Sequence, residues 1–348
     1  MNNPSSGYVA FHHQWKKLRI TCFSRFMHTI LPLLAAVIVV LAPAILPAFP
    51  QPSISISSGN TIGANYTASS AIAKIFNRKS ADYGMRIATV STQGSVADVN
   101  SVVDGKSSFG IAQAIMLQHA AQGLGPWEGK AQKELRAVLS LHVETVTIVA
   151  AADRKIEQIC DLKGKRVNIG APGSSDYEYG ALLLELSGVN PADVILSKYP
   201  SALASEFLQK YDIDAYIYTV GHPNLSVLEA SSGKRMVQMV PLDRSIIEQI
   251  TTMNPLLLPA VVPTNFYPGL ERQGVVPTIS VRAVLFTRAD MAEETVYWLV
   301  REVMTNFDLF RRQHPVLKDL TPREASDVTV IPLHPGAARY FREAGLTP

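Results

Sequence analysis

A chain of 348 residues is long enough to bury two separate cores, and 47% apolar with 18% charged residues excludes an extended disordered polymer. The net charge of +3 belongs to the N-terminus: the charged residues ahead of Gln51 are Lys16, Lys17, Arg19 and Arg25, the first acid is Asp82, and the remaining 28 lysines and arginines face 29 acids. That balance gives no basic face for nucleic acid.

Residues 1–50 read as a leader. Met1 to Arg25 is polar and basic, and the twenty residues from Ile30 to Phe49 carry no charge, the layout of a secretory signal. Ala42-Pro43-Ala44 and Leu46-Pro47-Ala48 offer small-x-small cleavage sites. Left uncleaved, the same stretch is just long enough for an N-terminal membrane anchor, with Pro43 and Pro47 weakening its outer end. Cys22 precedes the apolar stretch and is not placed to accept a lipid. Cys160 is then alone in the mature chain, which excludes an internal disulfide or a zinc cluster, and it is expected to be a small buried residue.

After a stiff Pro50–Pro52 linker, Ser53–Ser57 alternates as a strand does, Gly59–Gly63 turns, and Ala68–Asn77 has helical spacing. Met85–Val90 predicts a strand, Ser91–Ser95 a turn and Val96–Val103 a helix. Phe109–Ile111 is a short strand and Ala137–Ala151 a long β-rich run. Arg166–Ile169 predicts a strand opening into Gly170–Ser175, then a helix over Tyr177–Leu186 closed by Gly188. Further strands are expected at Ala215–Tyr218, Arg235–Val240 and Val281–Phe286, and one amphipathic helix over Ala292–Phe310. This alternation predicts an α/β protein with parallel or mixed sheets flanked by helices. No internal repeat is visible.

Three turns, Gly59–Tyr66, Gln93–Ser95 and Gly173–Asp176, share glycine, serine and amide residues. In open α/β sheets ligands bind outside the carboxyl ends of strands, where helix N-termini present free N–H groups. One such turn merely satisfies geometry; three in an exported chain favour a binding cleft. Catalytic signatures are missing: there is no G-x-S-x-G, H-E-x-x-H or Walker A segment. Ser231-Ser232-Gly233-Lys234 matches S-x-x-K without its companion motifs and reads as a surface loop. Of eight histidines, His119, His314 and His334 read as surface or core fillers, while His142 and His222 stand out through their neighbours. Asn65-Tyr66-Thr67 and Asn224-Leu225-Ser226 match the glycosylation triplet, a pattern short enough to arise by chance. The chain is expected not to be an enzyme and to hold no cofactor or metal.

Ser91–Val96 (STQGSV), Gly110–Ala114 (GIAQA), Asp161–Pro172 (DLKGKRVNIGAP), Gly221–Asn224 (GHPN), Pro241-Leu242-Asp243 and His334–Ala337 (HPGA) occur in that order. From about Ser57 to Gly345 the chain resembles the TAXI family, the solute-binding subunits of one class of TRAP transporter. The resemblance implies a periplasmic-binding-protein fold of the second topological type, two α/β lobes closing by a hinge. Lobe 1 would comprise 51–145 with 278–348 and lobe 2 would comprise 146–277, with crossings near Glu144–Thr147 and Val276–Ser280. It also implies a place in the periplasm or on the outer face of the cytoplasmic membrane. The implied partner is a sodium-coupled TRAP permease, without an ATP-hydrolysing subunit. Ligands would be amino acids or organic acids, with the glutamate-like class favoured. Membrane contact would come through the leader only if it stays uncleaved.

The resemblance carries site residues over where motifs match. Gly63 and Tyr66 match the first glycine-rich turn, while Ile62 and Asn65 replace a glycine and an aromatic residue. Gln93 replaces a glycine ahead of Gly94 and Ser95, and Gln113 matches. Ser140–Glu144 keeps the acid Glu144 of a Ser-Leu-Tyr-Pro-Glu stretch but has His142 for its tyrosine. Pro172–Asp176 corresponds to Pro-Gly-Ser-Gly-Thr, which places Ser174, Ser175 and Asp176 in the cleft; His222 and Tyr267 come from two later motifs. Tyr66, Gln113 and Tyr267 are expected to face the ligand. Asp176 is expected either to cap its helix or to meet an amine of the ligand, and so to oppose a plain dicarboxylate. Two alternatives on the same fold stay open: a sensory receptor, and an enzyme akin to those that make thiamine precursors.

Overall fold

The computed structural model describes residues 53–346; the expected leader, Cys22 and the Pro50–Pro52 linker lie outside the described residues. Strand β1 (Ser53–Ser57) pairs in parallel with β2 (Arg86–Val90) along its length and with β3 (Phe109–Gln113) at Ile56 and Ser57. All of β3 is buried, as a central strand covered on both faces must be. The sheet continues antiparallel through β10 (Val276–Arg288) to the start of β4 (Leu135–Ala151), giving the order β2-β1-β3-β10-β4.

Both long strands then change partners. From Thr145 onward β4 pairs antiparallel with β7 (Ala215–Val220), and from Ile148 with β8 (Val237–Val240). Strand β7 is parallel to β5 (Arg166–Asn168), which is parallel to β6 (Ile195–Ser197). The second half-sheet therefore runs β6-β5-β7-β4-β8. It has the same order as the first: three parallel strands, a long antiparallel strand, then a strand antiparallel to that one. The front of β10 pairs with β9 (Leu257–Val262).

The helices follow from apolar spacing. Helix α1 (Ala64–Phe76) buries Ala68, Ile72, Ile75 and Phe76 against Ile56, Ile87 and Phe109 in one core. Helix α2 (Ser95–Val103) buries Val96, Val99 and Val102, and α3 (Ala114–Gln122) follows β3 directly. Across the second half-sheet, α4 (Ser175–Leu186) buries Tyr179, Leu183 and Leu184, and α5 (Leu225–Ser232) buries Val227 and Ala230.

Four expectations need correction. The helix predicted over Ala292–Phe310 is two, Glu293–Thr305 and Phe307–Arg311, broken at Asn306, whose side chain donates to the Glu302 carbonyl. Cys160 is exposed, because its short turn buries Ile159 and Leu162 instead. Ser231 is buried near the end of α5, so only Gly233 and Lys234 of that tetrapeptide leave the helix. Strands β6 and β9 are absent from the sequence reading. Both have mixed exposure, and β9 carries Pro259, a residue that argues against a central strand.

Candidate functional site

The turns after β1, β2 and β5 and the end of β7 converge on one polar cavity of about 40 Å³. The first half-sheet contributes Ser58, Gly59, Asn60, Gly63 and Asn65, then Gln93, Gly94 and Ser95, and Gln113 from the end of β3. The second contributes Ser174, Ser175 and Asp176, then Tyr218, Thr219 and Val220; Glu144 enters from β4, where that strand changes partners. The turns touch across the cavity. The Ala97 N–H donates to the Gly173 carbonyl at 3.1 Å, and Asn60 Nδ2 donates to the Tyr218 hydroxyl at 2.9 Å. Gly94 permits this approach: its φ is +130°, and a Cβ there would meet Ser174 at 3.3 Å.

Ten residues singled out in the sequence are thus brought together, and four are not. Tyr66 follows Asn65 on α1, and one helical step of ~100° turns it from the lining. Tyr267 is fully buried, its hydroxyl 2.5 Å from His222 Nδ1 and accepting from the Asn224 N–H at 2.8 Å. His222 Nε2 lies 2.8 and 3.0 Å from the hydroxyls of Thr145 and Thr147, so this cluster pins the Gly221–Asn224 turn to β4. Burial, with His314 nearby, pushes His222 down to about 3, so it is neutral at pH 7. His142 is buried behind Glu144, its Nε2 3.5 Å from Glu144 Oε1, too far for a good hydrogen bond. Asn224 is also buried, where its side chain caps α5. Ser58, Tyr218, Thr219 and Val220 line the cavity without having been singled out, and Gly59 and Asn60 were singled out only as part of the first turn; the available signal was their position at or beyond the carboxyl ends of strands.

The expected capping role of Asp176 is also corrected. Ser174 is the N-cap of α4, accepting from the Tyr177 N–H at 3.4 Å. Asp176 sits in the first turn and its Oδ1 accepts from the Thr219 N–H at 2.6 Å, tying the turn to β7. Burial pushes the Asp176 carboxyl up to about 7, against the lowering effect of bonds from Thr219 and Ser201. Beneath the first turn Asp98 accepts from the Thr92 hydroxyl at 2.8 Å, and burial pushes it up to about 8. Glu144, 3% exposed, accepts from Gln113 Nε2 at 2.7 Å. Gln113 Oε1, Thr219 Oγ1 and Asn65 Oδ1 are buried without a hydrogen-bond partner. Among the described residues no lysine, arginine or histidine lines the cavity. None of their histidine, cysteine, aspartate and glutamate side chains forms a group able to hold a metal ion.

Two half-sheets of one topology, joined by the shared strand β4 and meeting at a polar cavity, define the two-lobed fold of the periplasmic binding proteins. Residues 56–345 match the NMT1-like family, and the chain belongs to it. Among solved structures, MatC from Rhodopseudomonas palustris with bound malate aligns with a TM-score of 0.54 at 15% identity, covering 85% of this chain and 98% of that one. A structure from Bordetella bronchiseptica RB50 aligns with a TM-score of 0.50 at 15% identity, covering 84% and 98%. The alkanesulfonate-binding protein SsuA from Xanthomonas axonopodis pv. citri bound to MOPS gives 0.42 at 16% identity, covering 86% and 95%.

Proposed function

We infer that the chain is an extracytoplasmic receptor that captures a small polar metabolite between its lobes and hands it to a membrane transporter. The observation that carries this reading is the convergence of polar turns from both half-sheets on one cavity. The cavity, about 40 Å³, has room for a few waters at most, so a metabolite enters only when the turns separate. Changes of strand partner in β4 and β10 support lobes of 51–145 with 278–348 and of 146–277, hinged where the two strands cross. The apolar leader supports export, and the ordered TAXI-like motifs support a TRAP-type, sodium-coupled permease as partner. Amino acids and organic acids are the ligand classes to test.

Titration calorimetry with such a panel, paired with small-angle scattering, tests capture. A binder should compact the chain and raise its melting temperature; binding only to the native state adds about 2.7 kcal/mol at 100 times Kd. A panel without a binder would sink the reading. Uptake into vesicles carrying the permease should follow an imposed sodium gradient and persist without ATP. A requirement for ATP would place the receptor with another transporter class.

A further inference from the structure

The lining is rich in acceptors and free of cationic side chains among the described residues. Glu144 and Asp176 are 3% and 6% exposed. Beside them, Gln113 Oε1 is an acceptor without a donor, on a residue only 2% exposed. Its amide orientation is fixed by chemistry: Nε2 donates to Glu144 Oε2 at 2.7 Å, and the flipped amide would set oxygen against oxygen. Buried acceptors of this kind are costly until a donor meets them.

Helix N-termini at the cavity would ordinarily favour an anion. The one from α4 already carries an acid of the chain itself, Asp176, in its first turn and in the cavity lining. A ligand carboxylate placed there would meet an acid already in place, which is like charge once Asp176 ionises, undiluted by any lysine or arginine of the lining.

We propose that Glu144, Asp176 and the Gln113 amide oxygen form a cation-recognising subsite, so that the solute carries a protonated amine or guanidinium. This rests on the receptor reading and narrows it: simple dicarboxylates are rejected, and any carboxylate on the solute lies away from this wall. The ligand's N–H groups would satisfy Gln113 Oε1 and bridge the two carboxylates, which come from β4 and from the first turn of α4.

The test uses the full chain and matched probes that differ by their amine: glutamate against glutarate, alanine against propionate, and putrescine against 1,4-butanediol, by titration calorimetry. The expected result is that every binder is an amine and that its partner lacking the amine binds at least tenfold more weakly. Glu144→Gln, which keeps the bond to Gln113, should weaken the amine at least tenfold with little change in melting temperature; Asp176→Asn is the second variant if the first fails to fold. Glutarate or propionate binding as tightly as its amine partner overturns the subsite while leaving the receptor reading intact. Silence from all probes, with a wider panel also silent, overturns the receptor reading and the subsite with it.

Discussion

Asp98 accepts one bond from Thr92 and leaves its second carboxyl oxygen buried without a partner. Its folded-state value, about 8, stands above the ordinary carboxylate range because burial outweighs the lowering effect of Thr92 and the neighbouring polar groups. The stability linked to it is complete below the unfolded value of about 4 and is lost as pH rises through about 8. Asp98→Asn, which retains an acceptor for Thr92, should therefore raise the melting temperature more at pH 8.5 than at pH 5. An equal rise at both values would show that charge burial is not the cause. Asp176, at about 7, gives a second dependence. A cationic solute needs its carboxylate, so affinity should fall as pH drops below about 7, by at most about tenfold per unit for one coupled proton. Calorimetry from pH 8 to pH 5.5 reads this directly. The Glu144 charge, Thr219 and Ser201 all act on Asp176; burial, together with Asp176 and Glu144, in turn pushes the Tyr179 and Tyr218 hydroxyls upward. Ten residues of the candidate cavity were legible because glycine, serine and amides cluster in turns after strands. Tyr66 and Tyr267 misled because residue type does not tell which way a side chain points: one sits a helical step away, the other is spent on His222 and Asn224.

At the level of elements, two neighbouring strands of the second half-sheet, β5 and β7, are fastened by one acid. Asp214, directly before β7, is 1% exposed at its side chain and meets Arg154 at 3.1 Å, Arg166 at 2.8 Å and Arg235 at 3.5 Å. It also accepts from the Arg166 N–H at 3.0 Å, so β5 and β7 are joined through it. Burial pushes Asp214 upward, but the Arg166 bonds and the nearby guanidinium charges outweigh it and leave the group at about 2. Its contribution is present above the unfolded value of about 4 and lost as pH falls through about 2. Asp214→Asn should cost about 3 kcal/mol by denaturant titration at pH 7 and flatten the stability profile between pH 4 and 2. A cost below 0.5 kcal/mol, on the order of an exposed pair, would remove this role. The shared order of the half-sheets was not legible, since β1 reads SISIS and β5 reads RVN. The equivalence lies in pairing and direction, which leave no common residues behind.

For the whole molecule, the relevant coordinate is the separation of the two sets of turns. Asn60 Nδ2 and the Tyr218 hydroxyl, 2.9 Å apart, join the β1–α1 turn to β7, and Asn224 Nδ2 reaches the Ile62 carbonyl at 3.4 Å. Tyr218→Phe deletes the first contact and keeps the ring. In small-angle scattering the ligand-free variant should expand relative to the parent chain, and its affinity for a binder should fall about fivefold, the worth of one hydrogen bond of about 1 kcal/mol. Unchanged scattering together with unchanged affinity would show that this bond does not hold the turns together.

The 17-residue strand β4 lies at one end of the first half-sheet's order and inside the second, while β10 is bulged between Arg282 and Val284, where Arg282 Nη1 holds the Leu141 carbonyl at 2.8 Å. A bulge lets a strand bend without parting from its neighbours. Hydrogen exchange would therefore divide this ribbon in three. Amides of β4 paired on either flank, near Leu139 and near Ile148, would exchange only with global opening, so neither half melts by itself. Those around Val143 and Arg282 would exchange faster, and would slow when solute holds the turns together.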